Sequence, residues 1–402
     1  MAMNLQAYFL VFFLCILVQV QASSPAIQAL VAPITKDAKT SLYTLSIANR
    51  NYLLDLSGPL LWSPCSSTHP TVPCSSEECA AVSGAQKHCS NGGRACTVRL
   101  RNPVTGERAA GDLTLADIVA NATDGKTPTS EVTVRGVVSS CAPDSLLRLL
   151  PAAAAGDAGL GRGGVSLPTQ LYSKLSLKRQ FAVCLPSTAA APGVAFFGGG
   201  PYNLMPPTPF DASTILSYTD LVRSPTNPSA YTIQLRGIAV NQEAVLLPPG
   251  ALARGGVTLD TAAPYTVLRR DVYRPFIAAF AKATSGIPRM PRARPFELCF
   301  NRSALGFTRV GYAVAPIDLM TLGGGGRNWT VFGSNSLAQV AGDTACLAFV
   351  DGGRAARSAV TVGAFQMENN LLLFDEAASR LGFSGTLFFI RTTCGNFNFA
   401  RH

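Results

Sequence analysis

Two aspartates occupy matched settings, each delivered by an apolar run and followed by a second apolar stretch. Asp55 closes Tyr52-Leu53-Leu54 and precedes Leu60-Leu61-Trp62, while Asp260 closes Gly256-Val257-Thr258-Leu259 and precedes Val267-Leu268. Two facing carboxylates that share one proton can activate a water to attack a peptide carbonyl. The arrangement also needs a hydroxyl after each aspartate and a glycine beyond it. The glycine N–H helps hold the carboxylates coplanar, and main chain packs where a side chain would stand. After Asp55 the chain reads Leu56-Ser57, which removes the hydroxyl and replaces the glycine. After Asp260 it reads Thr261-Ala262, which keeps the hydroxyl and replaces the glycine. Both acids survive, but Leu56, Ser57 and Ala262 are expected to disrupt the hydrogen bonds that align them, so the pair reads as vestigial, retained by hydrogen bonding between two halves.

Other chemistries find no support. The chain has no Gly-x-Ser-x-Gly elbow and no His-Glu-x-x-His, and its only histidines are His69, His88 and His402. The Gly323–Gly326 run lacks the Lys-Ser/Thr of a phosphate loop and reads as a turn. Cys74 and Cys79 have the spacing of half a zinc site, but the cysteine inventory favours disulfides. No metal and no cofactor are expected.

Strands must carry the aspartates. Tyr43, Leu45 and Ile47 alternate, as do Val132 to Arg135 and Tyr231, Ile233 and Leu235, the pattern of half-buried strands. Helical spacing is confined to Val272, Phe276, Ala279 and Phe280 and to Leu171 to Leu177, so the fold class is mostly β. The Gly/Pro-dense segment 198–209 reads as a joint. On either side the halves echo each other: each has an early aspartate and a later hydrophobic-Gly element, Ala158-Gly159-Leu160-Gly161 and Val360-Thr361-Val362-Gly363. Duplicated lobes would give that echo, with residues 23–205 forming one and 206–402 the other. A chain of 402 residues is long enough for two such bodies.

Residues 7–18 form an apolar core of signal-peptide length, and Val20-Gln21-Ala22 supplies a cleavage pattern, so residues 1–22 are expected to be removed. No other stretch is long enough to cross a bilayer. Ten cysteines remain, namely Cys65, Cys74, Cys79, Cys89, Cys96, Cys141, Cys184, Cys299, Cys346 and Cys394, an even set that reads as five disulfides in an exported chain. Sequons at Asn121, Asn301 and Asn328 add a glycoprotein reading. The net charge is +10, but the Lys and Arg residues are scattered with no run of five. Nucleic-acid binding is therefore not expected, and the charge reads as a solvated basic surface.

Several longer stretches carry a resemblance. They are Leu54 to Trp62, Gly159-Leu160-Gly161-Arg162 with Ser166-Leu167-Pro168, and Phe181 to Pro186 in the first half. In the second half they are Trp329 to Gly333, Thr344 to Phe349, Gln366 to Leu371 and Arg380 to Ser384. Over nearly the whole mature chain these resemble the plant pepsin-like fold, and within it the inactive branch of TAXI-type xylanase inhibitors, extracellular dermal glycoprotein and basic 7S globulin. The resemblance implies a two-lobed pepsin-like fold with pseudo-twofold symmetry and an extracellular (apoplast) or vacuolar location. The implied activity is binding of microbial glycoside hydrolases, such as endoxylanases or endoglucanases, by a monomer without proteolysis. The flap tyrosine of active relatives has no counterpart, since no Tyr lies between Tyr52 and Tyr172.

Wheat-type members insert a C-terminal histidine into the xylanase. Here the corresponding loop has none, and Phe388, Phe389, Ile390 and Arg391 are the candidate inhibitory residues. The resemblance also implies Cys184–Cys394. Cys299–Cys346 is expected within the second lobe and Cys65–Cys141 within the first, with the other four cysteines paired among themselves. The rival readings are an atypical aspartic endopeptidase, supported by the intact Asp pair, and a storage or ligand-binding globulin.

Overall fold

The computed structural model describes residues 27–82, 87–204, 210–224, 227–323 and 325–400. The signal segment 1–22 and the lobe boundary at 205/206 lie outside the described residues. The mostly β expectation holds. A 14-stranded sheet runs from Ser217–Asp220 through Arg380–Phe383 and Leu371–Asp375 into Gln180–Cys184, and then through the first-half strands to Lys87–Ser90. Strands from the second half therefore complete a sheet begun by the first. A five-stranded sheet, two four-stranded sheets and one hairpin account for the other strands of the second half.

Local chemistry explains the main elements. Leu45 and Ile47 of Tyr43–Ile47 point into the core, and Ser46 between them is only half-buried. The 16-residue strand Arg108–Thr123 turns into Pro128–Cys141. Asp124 Oδ1 accepts the N–H groups of Lys126 and Thr127 at 2.8 and 3.0 Å, an Asx turn in which Gly125 takes a left-handed φ of 88°. The helix Arg270–Ala283 buries Val272, Phe276 and Phe280 at intervals of four, and Thr284 closes it by donating its hydroxyl to Phe280 O at 2.6 Å. The helix Leu167–Leu175 carries Pro168 in its first turn and stops at Ser176, whose φ of 54° is left-handed. The alternation at Tyr231, Ile233 and Leu235 divides between two strands, Thr232–Ile233 and Leu235–Val240, which belong to different sheets.

Five disulfides are present: Cys65–Cys141, Cys74–Cys89, Cys79–Cys96, Cys184–Cys394 and Cys299–Cys346. Cys74, Cys79 and Cys96 bring three sulfurs close together, but each is already half of a disulfide. Cys184–Cys394 spans 210 residues and ties the C-terminal segment to the first half. Among the described residues no helix is long and apolar enough to cross a membrane.

Candidate functional site

The two aspartates are positioned by the same device used twice. The strand Arg50–Asp55 runs parallel to Ala154–Gly159 with Asp55 opposite Gly159, and Val257–Asp260 runs parallel to Val360–Gly363 with Asp260 opposite Gly363. A returning strand, Leu61–Ser63 or Thr266–Leu268, then pairs antiparallel to the same partner. The backbone crosses so closely that both glycines are obligatory. A β-carbon at Gly159 would stand 2.6 Å from Leu60 N, and one at Gly363 would stand 2.2 Å from Tyr265 C.

The link between the halves is one-sided. The Thr261 hydroxyl donates to Leu54 O and accepts the Leu56 N–H at 3.2 Å. Leu56 is fully buried and returns no hydroxyl to the second half. The structure corrects one sequence-based expectation: Ser57 and Ala262 do not break the hydrogen bonds to the carboxylates. Ser57 donates its N–H (2.7 Å) and its hydroxyl (2.8 Å) to Asp55 Oδ1, and the Ala262 N–H reaches Asp260 Oδ1 at 2.9 Å. The donor directions are set by the backbone, and the Ala262 methyl packs in the apolar cluster with Leu60 and Trp62.

A third acid, missed in the sequence, joins the pair. Asp157 sits in the small-residue strand Ala154–Gly159, is 1% exposed, and has no hydrogen-bond partner on Oδ1. The position that a Gly58 β-carbon would take lies 2.9 Å from Asp55 Oδ2 and 3.0 Å from Asp157 Oδ2, so the two carboxylates face one spot. Burial, then the charges of Asp55 and Asp260, push the Asp157 carboxyl well above the usual range, against a hydrogen bond from Trp62. Burial raises Asp55 too, opposed by the Ser57 and Gly58 donors and by Arg101. Asp260 is pushed up to about 7 by burial and by the Asp55 charge.

Beside Asp55 lies a cavity of about 250 Å³ whose floor includes Asp157 and Trp62. The hairpin formed by Ala95–Arg101 and Arg108–Thr123 contributes Arg99, Arg101 and Arg108 to its lining. Three guanidinium groups thus share the cavity with the Asp55 and Asp157 carboxylates, and Arg101 acts electrostatically on both Asp55 and Asp260.

The four loop residues do not line this cavity. They form the 3-10 turn Leu387–Ile390 with Arg391 after it, held by the buried Leu387, by its N–H bond to Asn369 O (2.8 Å), and by Cys394. Ile390 packs on the core and Phe388 is half-buried. Phe389 is 55% exposed and meets Phe332 edge-on at 5.1 Å, and Arg391 is exposed in a left-handed conformation. The Ser334 N–H donates to Val310 O at 2.8 Å, joining the Phe332 segment to the hairpin that presents Phe307, 77% exposed. Phe307 was also missed in the sequence.

The three sequons are placed differently. Asn328 is exposed, Asn301 uses Oδ1 to cap Ser303 N at 2.9 Å, and Asn121 lies within the long strand Arg108–Thr123.

Comparison with known proteins matches the two halves separately. The models for the N-terminal and C-terminal domains of xylanase inhibitors match residues 45–199 and 230–385. Chitinase CLP of Oryza sativa subsp. japonica is 48% identical over 393 residues, covering 92% of this chain and 91% of its own. The crystal structure of edgp superposes with a TM-score of 0.87 at 36% identity, covering 93% of this chain and 99% of its own. That of basic 7S globulin from soybean gives 0.79 at 30% identity, covering 93% and 100%.

Proposed function

Because the chain belongs to the xylanase-inhibitor family of pepsin-like proteins, we propose that it is an exported protein that binds microbial glycoside hydrolases and blocks them without proteolysis. The observation that carries this reading is the presentation of Phe389 and Arg391 on a braced turn. A glycosidase cleft offers aromatic platforms and a carboxylate pair, which an aromatic ring and a guanidinium can meet. Exposed aromatics and Arg are also the residues that dominate binding hot spots. The absence of proteolysis is supported by the one-sided Thr261 link, the third acid Asp157, the guanidinium of Arg101 in the cavity beside Asp55, and the lack of a tyrosine between Tyr52 and Tyr172. The protein acts as a monomer, with no cofactor, in the apoplast. Titrating it against a panel of endoxylanases and endoglucanases tests the reading: a stoichiometric fall in one activity supports it, and no fall across the panel refutes it.

A second reading is favoured by Asp157. Glycoside hydrolysis uses one protonated and one ionised carboxyl, and environments that push neighbouring pKa values apart supply such a pair. Asp157 and Asp55 face one cavity, and the rice relative is named a chitinase. On this reading the cleft hydrolyses chitin oligosaccharides. Release of reducing ends that disappears in Asp157→Asn supports it, and no release by the parent removes it.

A further inference from the structure

The basic charge is not evenly spread. Arg254, Arg269, Arg270, Arg274 and Arg354, from three separated stretches of chain, converge on a groove of about 910 Å³ at the start of the helix Arg270–Ala283. Two carboxylates answer the five guanidinium groups. Asp271 pairs with Arg269 at 2.7 Å and with Arg254 at 3.3 Å, and Asp351 pairs with Arg270 at 3.1 Å. Arg269 is buried and its guanidinium also donates to Arg254 O and to Ala251 O, so it braces the groove wall. Arg274 and Arg354 are exposed and form no ion pair among the described residues, and Arg254 keeps 69% of its side chain exposed. Three exposed cations, Arg254, Arg274 and Arg354, thus stand beside two arginines, Arg269 and Arg270, that are each paired with a carboxylate.

The geometry points to this groove as a docking site for an acidic polysaccharide, a polyuronate chain whose repeated carboxylates pair with Arg254, Arg274 and Arg354. A guanidinium matches a carboxylate bidentately, and an open groove admits a chain running through it. The excess of cations over carboxylates at one face sets this region apart from the evenly solvated charge expected from the sequence. The groove shares no lining residue with the carboxylate cavity, although Arg357, next to the groove residue Ala356, lines that cavity. It includes no residue of the Phe389 turn, and the inference does not rest on either functional reading.

The test compares the intact protein with a triple variant, Arg254→Ala, Arg274→Ala and Arg354→Ala, and with a charge-matched control, Lys126→Ala, Arg135→Ala and Arg327→Ala. Binding to polygalacturonate, neutral xylan and double-stranded DNA is measured by affinity electrophoresis at low and moderate salt. The parent is expected to bind polygalacturonate in a salt-sensitive manner and to ignore xylan. The groove variant is expected to bind at least about tenfold more weakly, with the control unchanged. Absence of binding by the parent overturns the inference. So does an equal loss in the control, or retention by DNA as strong as by polygalacturonate.

Discussion

Replacing Asp260 with asparagine should make the protein more stable at alkaline pH and leave it unchanged in acid. In the folded chain this carboxyl is pushed up to about 7 from an ordinary value of 3.8, by burial and by the Asp55 charge. A group whose folded pKa is raised holds its proton longer in the native state than in the unfolded one. Stability therefore falls as pH rises from about 3.8 through about 7, and the penalty is complete above that window. At ~1.4 kcal/mol per unit the gap corresponds to a ceiling of about 4 kcal/mol. Asp260 is only half-buried, so solvent screening brings the expected effect to about 2–3 kcal/mol. Asparagine is neutral throughout and keeps an oxygen for the Ala262 N–H. Urea unfolding of parent and Asp260→Asn at pH 4 and pH 8 measures the difference directly. The variant should gain about 2–3 kcal/mol at pH 8 and close to nothing at pH 4. An equal change at both pH values, or a parent whose stability does not decline across the window, would refute the electrostatic account of the acid cluster.

Fluorogenic peptide libraries should show no proteolysis between about pH 3 and 7, where a working carboxylate dyad titrates. Cleavage that vanishes in both Asp55→Asn and Asp260→Asn would overturn that. Phe389→Ala combined with Arg391→Ala should weaken inhibition of a glycosidase by about 30-fold or more while circular dichroism stays unchanged. Full potency in the double variant would exclude the turn as the inhibitory element. Gly363→Ala should cost about 3 kcal/mol or more in unfolding free energy, because its methyl would collide with Tyr265 main chain. Removing Cys184–Cys394 by paired serine substitutions should lower stability by about 2–4 kcal/mol, and an unchanged melting temperature would argue against its role as a long-loop brace.

The features legible in the sequence are those written locally. A strand ending in aspartate and a later hydrophobic-Gly element are short patterns, and the echo between the halves became the matched registers Asp55–Gly159 and Asp260–Gly363. The disrupted hydrogen bonds expected at Ser57 and Ala262 did not follow, because peptide direction, not side-chain identity, aims those N–H groups. Asp157 was illegible for a different reason. One acid among small residues has no periodic signal, and its meaning comes from Trp62, Asp55 and Asp260, which are remote in sequence. The arginine groove was hidden likewise, since Arg254, Arg274 and Arg354 are about as scattered along the chain as any other cations.

The shared sheet also constrains how the polypeptide is made. Gln180–Cys184 pairs with Leu371–Asp375, so one side of that strand has no partner until residues 371–375 have been synthesised. A nascent first half would expose a bare apolar edge, and such edges recruit other chains. Closure waits on Leu371–Asp375 and Arg380–Phe383 and on Cys394, which is made 210 residues after Cys184. Truncations before Leu371 should therefore reduce secreted yield through losses in the first half, far from the residues removed.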